Sequence, residues 1–115
     1  MHLRAGRYRE ALDELRQAVL IGREIGEADL ETMARNDLGR ALRAVGRVDE
    51  ALAEHRSAVL LARETGDRYE QARALAGMAD LSHDSGDVGQ ADRYRGQSAD
   101  LYRDLGVPEA ELSTR

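Results

Sequence analysis

The 115-residue sequence predicts an all-α protein, an α-solenoid of antiparallel helix pairs. Three observations carry this expectation. Gly6–Gly26 laid over Gly46–Gly66 matches at 13 of 21 positions without a gap, and Gly86, Ala91, Leu101, Arg103 and Gly106 keep the register forty residues further on. A fixed period of that size marks a chain of stacked supersecondary units. Inside each unit the apolar residues recur at three- and four-residue steps, the spacing of one helical face. Single glycines then separate one apolar stretch from the next.

Taken in order, five full helices are expected, near 7–25, 29–45, 48–65, 68–85 and 88–105. The first carries Ala11, Leu12, Leu15, Ala18 and Val19, the faces its copy uses from Ala51 to Val59. The second carries Ala34, Leu38, Ala41, Leu42 and Val45. In the third, Val48, Ala51, Leu52, Ala58, Val59 and Ala62 form a stripe that Leu61 widens, enough to meet two neighbouring helices. Asp49 and Glu50 favour its first turn through the helix dipole, and Gly66 supplies a left-handed stop. Asp67 followed by Glu70 reads as a capping box for the fourth helix, with Ala74, Leu75, Met78, Ala79 and Leu81 on its inner face. Asp87 and Gln90 repeat the device for the fifth. Turns this short make successive helices pack antiparallel. The glycines are read as standing singly at helix ends.

Composition excludes several classes of function. No Cys is present, so neither a disulfide framework nor a thiolate metal site can form. With no Phe, no Trp and four scattered Tyr, the interior must be made of Leu, Val and Ala. No apolar run is long enough to cross a bilayer, and the N-terminus lacks the apolar core of a signal peptide, so a cytoplasmic location without membrane contact is expected. All 17 basic residues are Arg, which fits GC-rich bacterial codon usage. The net charge of −5 lacks the positive footprint that direct nucleic-acid binding requires.

Leu38-Gly39, Leu42, Ala51 and Ala58 are spaced as in the tetratricopeptide signature: a large–small pair, a bulky residue three later, then small residues in the second helix. Small residues belong where two helices of one repeat cross closely, and Gly39 with Ala51 is expected to mark that crossing. The next unit keeps Met78-Ala79, Ala91 and Ser98 but puts Ser82 at the bulky place. Where the pattern wants an aromatic, Leu15, His55 and Arg95 stand instead. Each unit runs to forty residues, longer than the usual period of about 34. That longer form is similar to repeats of kinesin light chains, of bacterial peptide-sensing regulators and of the C-terminal arrays of actinobacterial transcriptional activators. "RETGDRYEQARAL" and "LGVPEA" look most like the last group. The expected layout is a single array over 1–115, with a partial repeat at 1–26, repeats at 27–66 and 67–106, and a tail or the start of a further helix at 107–115. "HLRAG" reads as the tail of a first helix, and Pro108 as a first helical position, so the chain is expected to be a piece of a larger regulatory protein.

No constellation for chemistry emerges. His55 falls on a buried stripe, where a packed core histidine is expected; His2 lies in the N-terminal stub; adjacent His83 and Asp84 diverge around the helix. Ser82 and Ser85 have no base beside them, no metal-ligand spacing is present, and no cofactor is implied. A non-catalytic module is therefore expected. The resemblance implies that the first helix of each repeat lines a concave face. On 29–45 the stripe facing away from the core reads Met33, Asn36, Arg40 and Arg43; on the next such helix it includes Arg73, Asp80 and His83. An amide flanked by guanidinium groups suits an extended peptide with an acidic or C-terminal carboxylate. The alternative is a structural self-association element. Without a preceding helix, Tyr8, Leu12 and Leu15 are expected to face water, a patch that a homodimer would cover.

Overall fold

The structure, a computed structural model, describes residues 5–107 and the side chains from residue 7. The chain folds into α1 (Ala5–Glu24), α2 (Ala28–Ala44), α3 (Val48–Thr65), α4 (Arg68–Asp84) and α5 (Val88–Asp104). Every expected helix is present, with bounds within two residues of those read from periodicity. The expectations for the "HLRAG" stub, His2 and Pro108 fall wholly or partly outside the described residues.

Turns recur every twenty residues, with Gly26, Gly46, Gly66, Gly86 and Gly106 each at φ between 73° and 82°. At Gly66 this left-handed conformation caps α3 and lets the Asp67 N–H reach back to the Ala62 carbonyl at 2.9 Å. A Cβ would strain that conformation, which is why glycine holds it. The same closure joins Glu27 to Gly22, Arg47 to Leu42, Asp87 to Ser82 and Val107 to Tyr102. Asp67 and Asp87 accept the Glu70 and Gln90 N–H groups at 3.0 and 3.1 Å, the first half of each capping box. The Glu70 carboxylate does not return to the cap. It turns inward to Asn36 and Arg73.

Helix packs on successive helix, and α2 also touches α4. The two lie side by side, with α3 behind their junction. One core cluster joins Leu12, Val19, Ala34, Leu38, Leu42, Ala51 and Leu81; a second joins Ala58, Val59, Ala74, Leu75 and Met78. Ala51, Ala58 and Ala62 are fully buried on α3, where a longer side chain would force the neighbouring helices away. A buried leucine such as Leu42 contributes about 1.5–3 kcal/mol, so these clusters supply the main drive to fold. The glycines are not confined to helix ends. Gly22, Gly39 and Gly77 are buried inside helices, and a Cβ on Gly22 would come within 2.8 Å of the Glu31 backbone nitrogen. Close approach of α1 to the start of α2 requires the missing side chain there.

Candidate functional site

Where α2, α3 and α4 meet, the interior is polar. Asn36 and His55 are 0% and 1% exposed, and Glu70 is also buried. The Asn36 amide donates to the Glu70 carbonyl oxygen and to Glu70 Oε1, both at 3.0 Å. Asn36 Oδ1 lies 3.0 Å from His55 Nδ1. Arg73 donates to Glu70 at 2.9 Å and to Asp37 at 2.6 Å. A buried carboxylate is costly unless paired and hydrogen-bonded, and Glu70 is both. The network ties three helices across two repeats.

These surroundings set the charge states. Burial first, and the nearby Arg73 guanidinium with it, push the His55 pKa down to about 4, while Asp80 opposes. His55 is therefore a neutral imidazole. Burial would also lower the Arg73 pKa, but the Asp37 hydrogen bond and the Glu70 charge outweigh it and raise the value. On α5, burial and Tyr69 hold the Tyr102 hydroxyl up at about 12, with the two rings edge to face at 5.7 Å.

Above this network runs an open groove between α2 and α4, about 550 Å³ in volume, lined by Asp37, Arg40, Ala41, Arg43, Ala44, His55, Gly77, Asp80 and Asp84. Its carboxylates are already engaged. Asp84 takes a forked pair of hydrogen bonds from Arg43 at 2.6 and 3.0 Å; this holds the Asp84 carboxyl below its ordinary range and raises the Arg43 guanidinium. Asp80 accepts from Arg95 at 3.0 Å, and Asp37 from Arg73. Arg40 is exposed and, among the described residues, has no hydrogen bond or ion pair. It is the groove's unengaged donor.

Of the residues expected to hold a peptide, the structure brings Arg40, Arg43 and Asp80 together along the groove. Met33 and His83 are exposed but lie outside its lining, and Arg73 is half-buried in the network below. Asn36 is a correction: it does not face the groove but is sealed beneath it. The contact of α2 with α4 widens the buried arc of α2 beyond the apolar stripe, and Asn36 falls inside the added arc. The exposed patch on α1 is a second correction. Leu12 is 5% exposed and belongs to the core, while Tyr8 and Leu15 are half-buried. α2 covers that stripe, so no preceding helix is needed to bury Leu12. Sequence reasoning gave Glu70 only a capping role, not its place in this network, and missed Gly77. Gly77 in mid-helix was the available signal, since a buried helical glycine marks a close neighbour.

Among the described residues no three His, Cys, Asp or Glu side chains gather as a metal site, and no helix is long and apolar enough to cross a membrane. The arrangement is a repeat scaffold with a polar groove between α2 and α4. A family model described as tetratricopeptide repeat matches residues 29–104, and the chain belongs to that family. A search among curated proteins finds no match. Tetratricopeptide repeats generally mediate protein–protein interactions and are generally non-catalytic.

Proposed function

We propose that this chain is a protein-interaction module that binds an extended segment of a partner protein in the α2–α4 groove, taking a partner carboxylate on Arg40. Arg40 carries the reading. Every lining carboxylate has a guanidinium partner and Arg43 is forked onto Asp84, whereas Arg40, without a hydrogen bond or ion pair among the described residues, offers its donors outward. A guanidinium recognises a carboxylate through two parallel hydrogen bonds, and an acidic side chain or a chain terminus supplies one. The setting proposed is a bacterial cytoplasmic regulator. It is supported by the use of Arg for all 17 basic residues and by the likeness of "RETGDRYEQARAL" to actinobacterial regulatory arrays.

The test is selection of binders from a phage-displayed library of random linear peptides. Selected peptides should be enriched in Asp or Glu, or end in a free carboxylate. Arg40→Glu should weaken them by about tenfold or more while leaving the circular dichroism spectrum unchanged. Full-strength binding to Arg40→Glu refutes the groove as the site.

A further inference from the structure

The hydrogen bonds beneath the groove determine where the proton on His55 sits. One terminal atom of the Asn36 amide lies 3.0 Å from both the Glu70 carbonyl oxygen and Glu70 Oε1. A carbonyl oxygen only accepts, so that atom is the NH₂ and the other is the oxygen. The oxygen lies 3.0 Å from His55 Nδ1 and must receive a proton from it. Nδ1 is therefore protonated, and in the neutral ring Nε2 keeps a bare lone pair.

Among the described residues Nε2 has no hydrogen-bond partner. No side-chain nitrogen or oxygen among the described residues is both sealed from solvent and unpartnered, so Nε2 meets the groove that His55 lines. Two glycines make room for the ring tip there. A Cβ on Gly39 would stand 2.6 Å from Nε2, and one on Gly77 would overlap Nε2 and Cε1. The ring is 1% exposed.

We propose that His55 Nε2 is a recognition atom of the groove, accepting a main-chain N–H from the extended peptide laid between α2 and α4. The proposal rests on the groove reading above and adds the second half of its chemistry. With glycine at 39 and 77, neither position puts a side chain beside Nε2, and such a window suits the approach of a main chain. A carboxylate is unsuited to the window, since its lone pairs would face that of Nε2. The groove thus presents an acceptor at His55 and a donor at Arg40, complementary to an amide N–H close to an acidic group. Asn36 and Glu70 are positioning residues: they hold the ring in the tautomer that turns its lone pair outward.

The test uses the intact wild-type chain with ¹⁵N-labelled histidine and a peptide from the library selection whose binding Arg40→Glu weakens. In the free protein the His55 ring should show a protonated Nδ1 and an unprotonated Nε2. On adding the peptide, the Nε2 resonance should move upfield, as for a nitrogen that has gained a hydrogen bond, with Nδ1 nearly unmoved. Methylating the peptide's backbone nitrogens one at a time should weaken binding by about tenfold or more at the position facing the window and suppress the Nε2 movement. An Arg40-dependent peptide that leaves Nε2 unmoved, or tolerates methylation at every nitrogen, overturns the role of His55 and spares the groove. A library without binders, or binders indifferent to Arg40→Glu, overturns both.

Discussion

Lowering the pH from about 7 to about 5 should remove about 2 kcal/mol of stability through His55 alone. Unfolding releases a histidine that titrates near 6.5, whereas in the fold burial holds it at about 4. The unfolded chain therefore binds the proton first. Stability is intact above the unfolded value, falls with decreasing pH below 6.5 at about 1.4 kcal/mol for each pH unit, and levels off near 4, about 3 kcal/mol lower. The groups facing the ring agree with this direction: Arg73 and Arg40 disfavour the imidazolium, and Asp80 offsets them only in part. The lowered carboxyl of Asp84 contributes with the same sign, but only as the pH approaches the ordinary carboxylate range, below most of this window. Urea unfolding followed by circular dichroism at a series of pH values measures the slope. His55→Phe serves as the control, since a ring fits the space while the proton site is gone. It should lose about one proton from the slope between pH 6.5 and 4, and lose overall stability because Asn36 Oδ1 is left unmet. A flat profile in wild type, or an equal slope in His55→Phe, refutes the burial of a neutral imidazole.

Gly39→Leu should lower the thermal midpoint: a Cβ alone would crowd the His55 ring, and overpacking costs about 1–3 kcal/mol against at most about 1 kcal/mol gained in helix propensity. An unchanged or raised midpoint would mean that α2 and α3 do not cross there. Asn36→Leu should destabilise by about 2–3 kcal/mol in urea unfolding, because His55 Nδ1–H loses its acceptor and Glu70 loses its amide donor. Asp87→Ala should cost about 1 kcal/mol by removing the side-chain acceptor at the start of α5, and Asp87→Asn should retain most of it.

The five helices and their turns were legible in the sequence because each depends on local information. Leu38 and Leu42, or Leu75, Met78 and Leu81, lie one helical turn apart, and a glycine at Gly46 or Gly66 stops a helix wherever the rest of the chain lies. The burial of His55 was legible for the same reason, as its place on the α3 stripe decides it. The groove was legible only in part. Arg40 and Arg43 were read as facing outward and do, but the pairing of Arg43 with Asp84, of Arg73 with Asp37 and of Arg95 with Asp80 depends on interhelical register. The network is also aperiodic: the copies of Asn36, His55 and Glu70 in neighbouring repeats are Ala76, Arg95 and Leu30, so the repeat could not announce it. Asn36 carries no apolar signal, and only the convergence of α2, α3 and α4 brings it beside partners 19 and 34 residues away. Local periodicity determines which residues form helices. Three-body packing decides which polar groups are taken from water, and with them the protonation of His55 and which guanidinium groups of the groove are paired.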